Sequence, residues 1–176
     1  VIPRFSFVTR VCCPGTVEPL AEEFDDIVWN CASTLAGWSA EESAKVRPQG
    51  TLRHSTEGGL GLLPVARRAP FGYLASWLDC ADALADCHKV FDAVSENSVL
   101  GRKLRDTYAE CVRHNPTNLP ETLADLTSIR HDPDKIAKRF RRSDGSVRWQ
   151  ALLARGLEEE ARQRWRASAS KADRER

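Results

Sequence analysis

The amino-acid sequence predicts an all-α fold, an irregular helical bundle of about five to seven helices, with one short N-terminal strand as the only candidate extended element. Three observations lead there. Apolar residues recur at steps of three and four along most of the chain. Residues that start and stop helices punctuate those runs, among them Ser39, Pro48-Gln49-Gly50 and His114-Asn115-Pro116. Alternation of the kind a half-buried strand needs is confined to Val1–Val11, where Ile2, Phe5, Phe7, Val8 and Val11 alternate loosely. That segment reads either as a short strand or as the tail of a preceding element, and Cys13-Pro14-Gly15 breaks the chain after it.

The elements follow in order. From Glu18, the residues Leu20, Phe24, Ile27, Val28, Cys31 and Leu35 fall on one helical face, and Gly37 is a natural stop. Glu18, Glu22 and Glu23 suit the positive end of the helix dipole. Burying those six side chains would contribute on the order of 10 kcal/mol before entropy, so this face is expected to be covered. Ser39 opens a shorter helix, with Glu41 and Glu42 in its first turn. Gly58-Gly59-Leu60-Gly61-Leu62-Leu63 disfavours a helix and suits a tight backbone approach. A long helical stretch is expected over residues 64–94, with Phe71, Leu74, Leu78 and Ala81 in one stripe and Cys80, Leu84, Cys87, Phe91 and Val94 in another. Pro70 belongs in its first turn or at a kink. Ser95 or Asn97 can cap the next helix, which carries Leu100, Leu104, Tyr108, Cys111 and Val112. Short helices are expected over 119–128 and 134–142, a turn at Ser143-Asp144-Gly145, and a last helix over 146–167 aligning Trp149, Leu153, Leu157, Ala161 and Trp165.

A chain of 176 residues that is 41% hydrophobic can build one modest core. Its formal charge of +1 selects no partner by itself, because a balanced total can hide local asymmetry. No run approaches the ~18 unbroken apolar residues of a membrane span, and no signal-peptide pattern opens the chain. Methionine is absent and the first residues are Val1-Ile2-Pro3-Arg4, which suggests a piece of a longer product. Most of the six cysteines lie in apolar helical patterns, where free thiols pack as small hydrophobes, so an intracellular, reducing compartment is expected.

Several motifs invite chemistry and do not complete it. Glu23-Phe24-Asp25-Asp26 contains paired aspartates of the kind that hold metals in polymerases. Such a pair needs a hairpin, whereas here it falls in a helical stripe whose neighbours point about 100° apart, so a solvated helix face is expected. Gly58-Gly59-Leu60-Gly61 lacks the Lys-Ser/Thr of a phosphate-binding loop. Cys80, Cys87, Cys111 and His114 have the types for a zinc half-site but not the paired spacings of a zinc module, and packed thiols are expected instead. The histidines His54, His88, His114 and His131 are scattered, so no catalytic residue and no metal ligand is assigned. The basic positions are more suggestive. Lys135, Lys138, Arg139, Arg141 and Arg142 lie within eight residues around Phe140, and Arg53 forms a second group with Arg67 and Arg68. Clusters of this kind attract phosphate backbones, although Asp132 and Asp134 temper the first.

One run is more specific. Gly58-Gly59-Leu60-Gly61-Leu62 followed by Ala69-Pro70-Phe71-Gly72-Tyr73-Leu74-Ala75-Ser76-Trp77 resembles the region just past the palm in reverse transcriptases of non-LTR retrotransposons, where a "GGLGL" turn leads into an "APxxYLAS" helix. Upstream, Ile2-Pro3-Arg4-Phe5 with Arg10-Val11 is similar to the "PRxNYxxR" lead-in to the thumb, and Phe24-Asp25-Asp26-Ile27-Val28-Trp29 to the "xDxxVW" helix after it. The likeness covers residues 1–85 and faintly the rest. It departs at His54-Ser55-Thr56-Glu57, where relatives have a Leu-Pro-type segment.

The resemblance implies a parent that copies RNA into DNA with two magnesium ions held by palm aspartates lying before Val1, so this chain would carry no catalytic group and no cofactor. It implies a thumb-like region with the glycine turn over residues 1–94 and a helical linker over 95–167. After Ser168 the residues are mostly polar and charged, so a disordered tail is expected over 168–176. By the same resemblance, the chain's partners would be RNA or an RNA–DNA duplex and the parent's palm, with no membrane. Arg4, Arg10 and the glycine turn occupy matching positions. Together with Arg53, Arg67, Arg68, Lys135, Lys138, Arg139, Arg141 and Arg142, they are the expected backbone contacts. The alternative is a helical protein-interaction or scaffold domain presenting Trp29, Trp38, Trp77 and Trp165.

Overall fold

The computed structural model describes residues 2–52, 59–88, 98–114, 119–130, 140, 142–143 and 147–168. Helices account for most of them: α1 (Ile2–Val11), α2 (Pro14–Ala36), α3 (Ala40–Gly50), α4 (Val65–His88), α5 (Val99–His114), α6 (Leu123–Arg130) and α7 (Trp149–Ser168). The fold is all-α. None of the helices among the described residues is long and apolar enough to cross a membrane.

The opening segment, read either as a short strand or as the tail of a preceding element, is a helix over residues 2–11. Val8 and Cys12, four residues apart, are half-buried against Val17, Ala21 and Val65, and the Cys12 N–H donates to the Val8 carbonyl. α1 packs along α4, and that tertiary contact outweighs a loose local alternation.

α2 begins with Pro14 at its first turn, where a missing N–H removes no helical bond. It ends at Gly37, which has φ 67°, with the Trp38 N–H donating to the Ser33 carbonyl. The face turned inward differs from the expected one. Val17, Ala21, Trp29 and Ser33 are buried, Phe24 and Val28 are half-buried, and Leu20, Ile27, Cys31 and Leu35 are exposed. Leu35 keeps 89% of its surface. Small side chains decide this orientation. Ala21 lets α2 approach α4 closely, and Ser33 joins a polar link in which the Trp29 indole N–H donates to Ser43 Oγ at 2.8 Å and the Ser33 and Ser43 hydroxyls meet at 2.7 Å. Trp29 stacks on Trp38 with ring centroids 5.9 Å apart, so it belongs to the interior and offers no partner surface.

Ser39 caps α3 through a capping box: its hydroxyl accepts from the Glu42 N–H, and the Glu42 carboxylate accepts from the Ser39 N–H. These bonds, the backbone one foremost, hold the Glu42 carboxyl below its usual range. α3 runs through Pro48 and ends at Gly50, within the expected stop Pro48-Gln49-Gly50.

Pro70 is the sixth residue of α4, inside the helix and past its first turn. Phe71, Leu74 and Leu78 are buried as their spacing predicts, and Tyr73 and Ala75 join them, whereas Cys80 is exposed. α5 is capped by Ser98, whose hydroxyl accepts from the Gly101 N–H at 2.8 Å; the expected caps Ser95 and Asn97 lie outside the described residues. Thr122 caps α6 by accepting from the Asp125 N–H. α7 buries Trp149, Leu153 and Leu157 in line, with Leu152 beside them.

The main core gathers Phe71, Leu74 and Leu78 with Leu104, Tyr108, Cys111, Leu126, Phe140 and Leu153. It therefore runs across residue 94, and the expected thumb-like and linker regions share one interior. A smaller cluster of Val17, Ala21 and Val65 joins α1 and α2 to the start of α4.

Candidate functional site

The aspartate pair has two structural tasks. Asp25 reaches from α2 to the first turn of α4, where its two carboxylate oxygens accept the N–H groups of Val65 (2.8 Å) and Ala66 (2.9 Å). Those are donors a helix N-terminus leaves without intrahelical partners, so Asp25 is a cap supplied from forty residues away. Asp26 turns outward and accepts from Arg47 at 2.5 Å. The two carboxylates serve different partners and share no centre.

Burial pushes the Asp25 carboxyl above its ordinary value, against the downward pull of the Val65 and Ala66 N–H groups and of Arg47. A raised folded value means the native state holds this proton more tightly than the unfolded chain. Stability from this position is therefore greatest at low pH and declines as pH rises through the carboxylate range above 3.8. Replacing Asp25 with alanine strands two donors and is expected to lower stability by about 1–2 kcal/mol at neutral pH, measured by urea unfolding. Asp25→Asn retains one acceptor, so its loss should be smaller, and its stability should vary less between pH 3 and pH 6.

The glycine segment is held just before that cap. The Gly61 N–H donates to the Leu52 carbonyl at 2.8 Å and the Leu62 N–H to the Gly50 carbonyl at 3.1 Å. Gly61 has φ 72°, and Gly59 is pressed so closely on Leu52 that a β-carbon would lie 2.2 Å from its carbonyl oxygen. These bonds and this close packing fix the turn against Gly50 and Leu52. Beside it a cavity of about 430 Å3 is lined by Trp29, Arg47, Thr51, Leu62 and Pro64 with both aspartates.

Three of the expected backbone-binding cations form ion pairs between helices. Arg10 pairs with Asp79 at 3.1 Å and ties α1 to α4. Arg67 pairs with Glu160 at 3.1 Å and Arg68 with Glu158 at 3.7 Å, both tying α4 to α7. These three arginines serve as inter-helix links. Arg4 lies in α1, and Arg142 is exposed. Arg53, Lys135, Lys138, Arg139 and Arg141 lie outside the described residues.

The thiols divide by environment. Cys31 and Cys80 are exposed, whereas Cys111 is fully buried, and burial pushes its thiol up to about 12. Lys103 Nζ donates to Cys13 Sγ at 3.1 Å, joining α5 to the start of α2, and this contact raises the lysine. Among the described residues no three His, Cys, Asp or Glu side chains are placed to hold a metal ion. Native protein treated with Ellman's reagent at pH 8 is expected to release the Cys31 and Cys80 equivalents quickly, and Cys111 only after denaturant is added.

No protein family, curated protein or solved structure matches the chain. The tertiary cap at Asp25 was beyond sequence reasoning, because nothing near Asp25 in the chain announces a helix forty residues later. The ion pairs of Arg10, Arg67 and Arg68 were hidden for the same reason.

Proposed function

We propose that this chain is the helical region that follows the palm in a reverse transcriptase of the non-LTR type, gripping the template–primer duplex by shape and backbone contact and supplying no catalytic group. The observation that carries the reading is the convergence of segments matched separately in sequence. Asp25, from the stretch similar to "xDxxVW", caps the helix that contains the "APxxYLAS"-like run. The "GGLGL"-like turn delivers the chain into that cap, and Arg10 from the lead-in ties α1 to the same helix. The matched residues thus form one junction around α4, as parts of a single inherited architecture would.

In this reading the duplex meets Arg142 and the neighbouring basic residues 135–141, together with Arg4 and Arg53, while Arg10, Arg67 and Arg68 set the spacing of the helices. The magnesium ions of the reaction belong to palm aspartates of the parent, and the setting is intracellular.

A filter-binding assay with RNA-primed template at rising salt tests it. Affinity should fall linearly on a log–log plot, because displaced counterions drive such binding. Exchange of Lys135, Lys138, Arg139 and Arg142 for glutamate should weaken it at least tenfold. Absence of binding at the lowest salt overturns the reading. The exposed Leu20, Ile27 and Leu35 on α2 favour the second reading, a protein-interaction domain. A stable dimer in light scattering without salt-sensitive RNA binding would select it.

A further inference from the structure

α2 is apolar on two sides. One side, with Val17, Ala21 and Trp29, is covered by the rest of the fold. The other carries Leu20, Ile27, Cys31 and Leu35, all exposed. With about 100° between successive helical residues, these four fall within an arc of about 80° and form one stripe. Leu20 keeps 59% of its surface and Ile27 53%, beside the almost fully exposed Leu35. A single exposed leucine needs no explanation, whereas an aligned row marks a surface that another element covers. Half-buried Phe24 lies in the same stripe, and Leu20, Phe24, Ile27 and Cys31 are separated by steps of four, three and four. That alternation is the seam of a coiled coil, so the shape fits another helix.

Charge selects which helix. α2 carries Glu18, Glu22, Glu23, Asp25 and Asp26 and no Lys or Arg. Asp25 caps α4 and Asp26 pairs with Arg47, but Glu18, Glu22 and Glu23 are exposed and enter no ion pair among the described residues. Glu23 flanks the stripe, three residues from Leu20 and four from Ile27. A second copy of α2 would bring more carboxylates to this seam and no cation to meet them. A helix with lysine or arginine beside its own apolar row satisfies both features.

We infer that the outer stripe of α2 docks a basic amphipathic helix of a partner protein. The partner's apolar row lies along Leu20, Ile27, Cys31 and Leu35, and its lysines or arginines face Glu23. Apolar contact supplies most of the affinity, while the charges set orientation and reject acidic helices. This surface uses none of the basic residues assigned to the duplex, so it stands apart from RNA binding.

Fluorescence anisotropy on the full chain tests it, with two labelled synthetic heptad-repeat peptides as probes. Both carry leucine at the seam, with lysine on the flanks of one and glutamate on the flanks of the other. The lysine peptide should bind, and the glutamate peptide should bind roughly tenfold or more weakly. A Leu20→Gln, Ile27→Gln, Leu35→Gln variant should weaken the lysine peptide by roughly tenfold or more. Asn30 is exposed on the same flank as Glu23, so a Glu23→Lys, Asn30→Lys variant should reverse the preference between the peptides. All the substituted positions are exposed, so both variants should keep their far-UV circular dichroism, and should one fail to fold, the other decides. A dimer of the chain alone in light scattering that the glutamine variant dissolves assigns the stripe to a second copy and overturns the proposal. Equal binding of the two peptides, binding that neither folded variant alters, or no binding of the lysine peptide overturns it as well.

Discussion

Phe71→Ala is expected to lower the unfolding free energy by about 3–5 kcal/mol, a large share of what a domain of this size possesses. Phe71 is 1% exposed and heads the largest fully buried side chains. It sits on α4 in the cluster that also holds Leu104, Tyr108, Leu126 and Leu153, so its ring is shared by several helices. Truncation removes the transfer free energy of the ring and leaves a void beside a cavity it already lines, which surrounding helices can only partly close. Urea unfolding followed by circular dichroism measures the loss. The control is Leu35→Ala on the exposed side of α2, where a change within about 0.5 kcal/mol is expected. A loss below 1 kcal/mol for Phe71→Ala would place the core elsewhere.

Gly59→Ala is the second substitution with a large expected effect, through crowding rather than a void. An added β-carbon would lie 2.2 Å from the Leu52 carbonyl oxygen and 2.5 Å from its carbon. Both are backbone atoms, which cannot rotate away as a side-chain tip can. The same carbonyl accepts the Gly61 N–H, so relieving the clash breaks the bond that holds the turn. Overpacking against side chains costs about 1–3 kcal/mol, and a fixed backbone puts this case at or above the upper end. Urea unfolding should show that loss. Nuclear magnetic resonance should locate the shifts at Leu52, Gly61 and the first turn of α4. Gly61→Ala, penalised by its left-handed backbone alone, is expected to cost about 1–2 kcal/mol.

Much of the architecture can be read in the chain before any coordinates are seen, because helix periods and caps are local. The capping box at Ser39, the stop at Gly37 and the buried line Trp149, Leu153, Leu157 all follow from residues within a few turns of one another. What escapes is relational. The face expected on α2, Leu20, Phe24, Ile27, Val28, Cys31 and Leu35, leaves Leu20, Ile27, Cys31 and Leu35 exposed. The reason is that helices approach most closely where side chains are small, and Ala21 and Ser33 mark the inward side. The N-terminal helix was obscured because Val8 and Cys12 acquire meaning only beside α4. The candidate site shows the same division. Its glycine turn announces itself, whereas the carboxylate that receives the incoming helix and the acids that bind Arg10, Arg67 and Arg68 come from remote parts of the chain.

α4 touches α1, α2, α5 and α7, and is the one helix with such breadth of contact among the described elements. A segment with that many neighbours cannot open alone, since exposing its amides means parting four surfaces at once. Peptide groups around Phe71–Ala75 should then be the slowest in the chain to exchange with deuterium, on a timescale close to that of complete unfolding. α3, held through Trp29, Ser43 and Arg47 on one side and by α7 on the other, should exchange faster while that axle stays closed.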